Sequence, residues 1–463
     1  MTLVLVTGAS GYIGSHLVPR LLDSGHTVRV LSRDPSRLPD AWRDRVDVAE
    51  GDATRDTDVR AALEGADVLY YLLHSMDGRG DFVARDRELA TRFARLAEQA
   101  GVQRIVYLSG LHPQGELSEH LASRVEVGEI LLASGVPTAV LQAGVVLGAG
   151  SASFDMLRHL TERLPAMVAP KWLDNHIQPI AVTDAVHYLV RAAALPAEVN
   201  RSFDLGGPDV LTYREMMQRY AQLADLVPRT IVTVPVLTPS LASHWVGLVT
   251  PIKAGIARPL VGSLMHDAVR HEFDAEQVLG EPEGGTAGFD AAIRAALADI
   301  DPKLWGRTLG AVASAVVGTA VVGGLFTDPG SRWYQRLRKP AIQPPPAVFG
   351  PVWTLLYALI AMSSAATIAD ARERGDDAEA DAFERALTAN LALNTAWSGV
   401  FFRAHAPAAS AVVAGLLAAS SADLTRRAAQ SGPGKAAALG VYTAWCTFAT
   451  VLSTAIAVRN RKR

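Results

Sequence analysis

Five stretches free of Asp, Glu, Lys and Arg crowd the last third of the chain, at 308–327, 340–369, 386–402, 404–422 and 436–458. They hold 20, 30, 17, 19 and 23 residues. A hydrocarbon core of ~30 Å takes about 20 helical residues to cross. The spacing therefore predicts an all-α bundle of five transmembrane helices, the second entered through a proline-rich segment. A soluble bundle is the alternative, but water-soluble helices rarely lack charge on every face. The fourth stretch is crowded with Gly and Ala, which let backbones approach closely inside a bundle. The segment Leu237 to Val261 is also fairly apolar, yet His244, Lys253 and Arg258 interrupt it and it is not counted as spanning.

Ahead of Pro302 the chain reads differently. A length of 463 residues predicts more than one folding unit, and we place the boundary between 302 and 303. Short apolar runs, Leu3 to Val6, Val28 to Leu31, Val68 to Leu72, Ile105 to Leu108 and Thr138 to Leu141, alternate with longer amphipathic stretches. That rhythm is α/β, a doubly wound, Rossmann-like parallel sheet. From Gly148 to Pro302 the pattern is less regular, with helical stretches at Asp184 to Ala194 and Arg214 to Ala224, and reads as a smaller substrate-side lobe. Acidic and basic residues nearly balance, 47 against 44, and the one short basic run is the Arg459 to Arg463 tail, which argues against nucleic acid as a partner. The single cysteine, Cys446, cannot form an internal disulfide and reads as a small buried hydrophobe.

Thr7 to Gly14 reads Thr-Gly-Ala-Ser-Gly-Tyr-Ile-Gly, directly after the first apolar run and before a helix. Glycines at 8, 11 and 14 permit a tight turn and bring backbone N–H groups close to a ligand, so Gly8, Ser10, Gly11, Tyr12, Ile13 and Gly14 are candidate contacts for a dinucleotide pyrophosphate. Where an acidic residue would meet a ribose 2′-hydroxyl, the chain has Ser32-Arg33-Asp34. A guanidinium suits a 2′-phosphate, so NADP(H) is preferred over NAD(H); a solvated loop arginine is the other reading. Asp52, followed by Ala53, is placed to accept from an adenine amino group or to cap the helix expected near Thr57.

With these residues in view, the N-terminal 302 residues resemble the atypical short-chain dehydrogenase/reductases of the NmrA-like, NAD(P)-binding kind. The resemblance also rests on Tyr70 to Met76, Ile105 to Leu111 and Pro179 to Asp184. It implies that Leu73, His74 and Ser109 border the nicotinamide; Asp184 itself reads as a helix N-cap. The classical short-chain reductases place Tyr-x-x-x-Lys on the following helix, and this sequence has none. At that place stand His120 and Arg124. With Ser109 they are the candidate catalytic residues, the alternatives being an ordinary helix-surface pair and a cofactor site without catalysis.

Trp333, Tyr334, Leu337, Lys339 and Pro340, then Pro344 and Pro345, then Phe349 to Tyr357 form a dense ordered set. Together with Leu393 to Phe402 and Tyr442 to Ala449, they resemble the TspO family of tryptophan-rich sensory proteins, also called peripheral benzodiazepine receptors. The resemblance implies a five-helix bundle that binds porphyrins, sterol-like or other flat hydrophobic ligands under the Trp333 to Pro346 segment. Candidate ligand contacts are Trp333, Tyr334, Pro344, Trp353, Tyr357, Asn394, Trp397 and Trp445. Gly399 and Val441 stand where proline is common in that family, a departure that leaves the helix kinks there, and with them the pocket width, open. His405 lies at a helix end, no metal site is expected, and a porphyrin or haem would be held without tight axial ligation.

The expectation is thus a multi-pass protein of the cell membrane, partnered by the lipid bilayer and a hydrophobic small molecule, with a homodimer through the bundle compatible with the pattern. Its function reads as a tryptophan-rich sensor joined to an NADP(H)-binding unit, or alternatively as a membrane-tethered NADPH-dependent reductase of a lipophilic substrate. Met1 to Gly8 lacks a basic n-region and a cleavage site, so the N-terminal unit is expected in the cytoplasm and the C-terminus outside.

Overall fold

The computed structural model describes residues 2–74, 81–113, 117–234, 250, 261–262 and 264–461. The chain forms two compact units, Met1–Pro302 and Lys303–Arg463. Nearly all of the Leu237 to Val261 segment lies outside the described residues, as do the last two residues of the basic tail.

The first unit is built on a seven-stranded sheet: β1 (Leu3–Thr7), β2 (Thr27–Ser32), β3 (Asp47–Glu50), β4 (Val68–Tyr71), β5 (Arg104–Gly110), β6 (Thr138–Ala143) and β7 (Arg201–Leu205). The spatial order is β7-β6-β5-β4-β1-β2-β3, and every pairing is parallel. The central strands are apolar because helices cover both faces, leaving no solvent side to reward alternation. Val4 and Val6 face one core with Leu17, Leu21 and Tyr188, while Leu5 and Leu69 face another with Phe93 and Ala97. The strand order reverses between β1 and β4, and at such a switch point open α/β sheets hold their ligands beyond the carboxyl ends of the strands.

The five apolar runs anticipated from sequence are strands of this sheet. β7 was not anticipated: Arg201-Ser-Phe-Asp-Leu205 carries two charges in five residues. It closes the edge beside β6, and the Asp204 carboxylate accepts from the backbone N–H groups of His271 and Glu272 at 2.7 and 3.1 Å. The smaller lobe has a core of its own, in which Phe154, Leu157, Met217, Tyr220 and Phe289 meet. Its helix Tyr213–Leu223 starts on a reciprocal capping box between Thr212 and Glu215. The helix Val182–Ala192 is capped by Ala181, not by Asp184. Asp184 sits in the first turn and accepts from the Ala287 N–H at 2.7 Å, tying a distant loop to this helix.

The second unit contains helices Leu304–Phe326, Pro346–Glu373, Asp377–Ser398, Pro407–Ser431 and Pro433–Arg459, named first to fifth below. The first, second, fourth and fifth are long and apolar enough to cross a membrane. The third does not meet that measure. It begins at Asp377, well ahead of the charge-free stretch, and carries Asp377, Glu379, Asp381, Glu384 and Arg385 in its first half. Ion pairs hold that half: Glu384 to Arg372 at 2.6 Å and Glu379 to Arg374 at 3.1 Å. Nearby, Lys435 pairs with the buried Asp370. After Ser398 the third helix widens into a π turn over Gly399–Arg403, so a glycine and an irregular turn stand at the position where the resembled family commonly has proline.

Candidate functional site

Residues 8–11 make the turn between β1 and the helix Tyr12–Asp23. Gly8 has φ of +70°, and a Cβ there would stand 2.7 Å from the Leu72 carbonyl oxygen. Gly14 is pressed on the turn itself, where a Cβ would lie 2.6 Å from the Ala9 Cα. A Cβ on Gly11 would meet only the Gly8 oxygen, at 3.1 Å. The Gly11 N–H donates to that oxygen at 3.0 Å, and Gly11 offers no side-chain cap to the helix. The N–H groups of the first helical turn therefore point, uncapped, at the carboxyl edge of β1, with Ser10 and Gly11 exposed beside them. This cradle fits a pyrophosphate. Thr7 fixes the adjoining strand end, since its hydroxyl donates to the Tyr70 carbonyl and accepts from the Leu72 N–H.

The other candidate contacts distribute around this turn. Ile13 packs into the core beneath it. Tyr12 turns its ring toward the smaller lobe, its hydroxyl against Gly148, and burial pushes that hydroxyl up to about 12. Arg33 is exposed at the end of β2, close enough to Asp52 to help hold its carboxyl below the usual range, the larger cause being the Thr54 N–H. Asp52 caps no helix: one oxygen accepts from the backbone and side chain of Thr54, both at 2.9 Å, and the following helix starts at Asp56. Ala53 and Leu73 pack on the apolar face beneath.

At the end of β4 the structure brings together residues far apart in sequence. His74 Nδ1 lies 3.1 Å from Asp86 Oδ2, and His74 Nε2 lies 3.2 Å from His120 Nδ1. Asp86 is buried in the helix Phe82–Ala100, and Ser123 Oγ reaches the same carboxylate oxygen at 3.5 Å. Arg124 donates to the Leu108 carbonyl at 3.4 Å, and its own carbonyl accepts from the Tyr107 hydroxyl at 3.3 Å. Burial first, then the Arg124 charge, lowers both histidines; His120 is pushed down to about 3. Ser109 is buried beside the Tyr107 hydroxyl, without a well-aligned bond. His120 and Arg124 are thus not a surface pair. Sequence reasoning missed Asp86, although a carboxylate in register with Leu89, Ala90, Phe93 and Ala97 on an apolar stripe is a legible signal.

In the second unit the aromatic candidates form two groups. Trp397 lies flat on Phe401, with centroids 5.3 Å apart and planes 9° from parallel, and its indole N–H donates to Ser453 at 3.3 Å. Trp333 stacks on His405 at 4.4 Å and meets Phe401 edge-on. Tyr334 packs against Phe402 and carries Lys339 over its ring. Pro344 is half-buried in the same connecting segment. In the other group Trp353 meets Tyr357 at 5.3 Å and Tyr442 at 6.5 Å, while Trp445 meets Phe349 and Phe448.

A directional hydrogen-bond chain runs beneath this second group. The Tyr357 hydroxyl donates to Asn394 Oδ1, Asn394 Nδ2 to the Tyr442 hydroxyl, and that hydroxyl to Asn390 Oδ1, at 3.2, 3.2 and 3.0 Å. Asn390 Nδ2 then donates to Ser420 and Ser421. Rings that supply broad apolar faces beside a few fixed polar groups suit a flat hydrophobic ligand.

Comparison with known proteins agrees with this division. The NAD(P)H-binding family matches residues 8–141, and the TspO/MBR family matches residues 311–459. A 3β-hydroxysteroid dehydrogenase/Δ5→4-isomerase of Mycobacterium tuberculosis is 38% identical over 117 residues, covering 23% of this chain and 31% of that protein. The chain thus spans about a third of the length of that relative. Among solved structures, the Citrobacter triphenylmethane reductase superposes with a TM-score of 0.52 at 15% identity, over 64% of this chain and all of that one, which shows the shared fold. The human translocator protein is 34% identical over 150 residues, which cover 32% of this chain and 87% of that protein. By its C-terminal unit the chain belongs to the TspO/MBR family, and an NAD(P)H-binding domain of Rossmann-like fold precedes that unit.

Proposed function

We propose that this chain is a membrane-embedded sensor whose bundle binds a porphyrin or another flat hydrophobic ligand and whose N-terminal unit binds NADP(H). All five long helices cross the bilayer in this reading; the third does so from its apolar half, its acidic half standing at the surface. The ligand sits among Trp353, Tyr357 and Trp445, beneath the segment that carries Trp333, Tyr334 and Pro344. Asn394 orients it. Arg33 provides the preference for NADP(H) over NAD(H), the N-terminal unit lies in the cytoplasm, and the bundle is free to pair as a homodimer. The observation that carries the reading is the occurrence, in one chain, of an uncapped glycine turn at a sheet switch point and aromatic groups on membrane-length helices.

The test is a pair of titrations on full-length protein in lipid nanodiscs. NADPH should bind saturably, protoporphyrin IX should quench tryptophan fluorescence, and each should change the affinity of the other by the same factor if the units communicate. Absence of nucleotide binding would overturn the cofactor assignment, and non-saturable quenching the pocket.

A second reading, a membrane-tethered NADPH-dependent reductase of a lipophilic substrate, is favoured by one specific observation. His74, His120, Arg124 and Ser109 converge where β4 and β5 end, next to the glycine turn. The naming of the mycobacterial relative as a hydroxysteroid dehydrogenase supports a carbonyl or alcohol on an apolar skeleton.

A further inference from the structure

We infer that Asp86, His74 and His120 form a proton relay that serves a carbonyl or secondary alcohol held beside the end of β4. The inference rests on the reductase reading and names the groups that would perform its proton transfer.

Geometry carries it. The three side chains touch in succession, Asp86 Oδ2 to His74 Nδ1 at 3.1 Å and His74 Nε2 to His120 Nδ1 at 3.2 Å, with the two rings tilted by 56°. They come from three elements: the loop after β4, the helix Phe82–Ala100 and the helix Glu119–Leu132. His74 and Asp86 are nearly enclosed, with side-chain exposures of 12% and 5%. A neutral imidazole has one donor and one acceptor, so each contact fixes the next. Asp86 can only accept as a carboxylate, which puts the His74 proton on Nδ1. His74 Nε2 then accepts, which puts the His120 proton on Nδ1. The free end of the chain is therefore the lone pair of His120 Nε2, on a residue that is only half-buried.

Burial, more than the neighbouring charges, keeps both imidazoles neutral beside the Asp86 carboxylate. Arg124, one turn along from His120, disfavours a proton on either ring, and Asp86 at the far end opposes it. The Tyr107 hydroxyl is committed to the Arg124 carbonyl and does not enter the line. The position is also apt. Leu72, two residues before His74, is the residue whose carbonyl abuts Gly8 of the glycine turn.

In the oxidative direction the alcohol O–H bond breaks and its proton goes to His120 Nε2. The His120 Nδ1 proton moves to His74 Nε2, and the His74 Nδ1 proton to Asp86, which ends as a neutral acid. An oxidised nicotinamide bound at the glycine turn would supply the acceptor for the hydride on the same carbon, and the C=O bond would form from the oxygen pair. Reduction is the reverse, with the carbonyl oxygen taking its proton from His120 Nε2. His120 is the catalytic residue. His74 and Asp86 are positioning residues that fix its tautomer and share its proton.

Two measurements on the full-length protein in nanodiscs test this. The first is the nitrogen spectrum of 15N-histidine-labelled protein at pH 7 without nucleotide. His74 and His120 should both be neutral with the proton on Nδ1, and Asp86→Leu should change the His120 signals through His74. A proton on His120 Nε2, or His120 signals indifferent to Asp86→Leu, overturns the relay. The second is NADPH-dependent reduction of 2-naphthaldehyde, with nucleotide binding measured alongside. His120→Ala should lower kcat about 100-fold or more with NADPH affinity unchanged. Asp86→Leu should lower kcat and shift its pH profile, and Asp86→Glu should restore part of both. A parent protein that binds NADPH and leaves the aldehyde untouched sinks the reductase reading itself. Turnover that survives His120→Ala sinks the relay alone.

Discussion

The Leu72 carbonyl oxygen stands 2.7 Å from the place a Cβ on Gly8 would take, whereas the nearest neighbour of a Cβ on Gly11 is 3.1 Å away. The two glycines therefore serve different ends. Gly8→Ala forces a left-handed backbone and a backbone clash, and should cost about 1–3 kcal/mol of stability in the first unit. Gly11→Val should leave the melting temperature within a few degrees while abolishing NADPH and NADH binding. Thermal melts and nucleotide titrations on both variants decide; a Gly11→Val protein that binds as well as the parent refutes the cradle.

Arg33→Ala should weaken NADPH by ~1.5–3 kcal/mol and leave NADH nearly unchanged, because only the 2′-phosphate offers the guanidinium a charged partner. Isothermal titration with both nucleotides checks it. Equal losses for the two would place Arg33 elsewhere than at the ribose.

Acid should destabilise the first unit through His120. Unfolded, this histidine takes its proton near 6.5; folded, only near 3. Between those values the unfolded chain holds the extra proton, so stability falls as pH falls, by roughly 2 kcal/mol from pH 7 to pH 5. The shift of His74 is in the same direction. A His120→Asn variant should lose about that much less over the interval in denaturant melts; an unchanged pH dependence would mean the ring is well solvated.

In the second unit the double variant Trp353→Ala, Trp445→Ala should weaken protoporphyrin binding by about 1–3 kcal/mol, since both broad faces are removed. Trp333→Ala and Pro344→Ala should change the rate of ligand entry more than stability. Stopped-flow quenching separates the two effects, and a large fall in melting temperature from the connecting-segment variants alone would contradict it.

Sidedness is testable at the tail. Asn460 Oδ1 accepts from the Arg338 N–H at 3.1 Å, and Arg459 reaches the Lys339 carbonyl, so the C-terminus and the Trp333 to Pro346 segment share one end of the bundle. With the N-terminal unit inside and five crossings, both should be external. A C-terminal alkaline phosphatase fusion should be active and a fluorescent protein fusion dark; the opposite pattern would require either export of the N-terminal unit or a sixth crossing.

Much of the fold was legible because its determinants are local. The glycine turn follows a buried strand and opens a helix within a dozen residues, and membrane-length apolar helices declare themselves by missing charge. What depends on partners distant in the chain did not show. The segment Arg201–Leu205 is a strand because the β6 edge needs a neighbour, despite its charges. His74 meets His120 across 46 residues, and Asp86 joins them only because the amphipathic stripe of its helix turns it inward. The third bundle helix begins earlier than its apolar stretch, since ion pairs with Arg372 and Arg374 extend it beyond the apolar register.

The hydrogen-bond chain from Tyr357 through Asn394, Tyr442 and Asn390 to Ser421 draws its members from the second, third, fifth and fourth helices. In hydrocarbon no water replaces a lost partner. A change at one link strands a group on each side of it, so these positions can drift only in concert, while rings outside the chain, Trp353 and Trp445, can be exchanged one at a time. Ligand preference is thus free to diversify across descendants of this bundle without disturbing the mutual rotation of its helices.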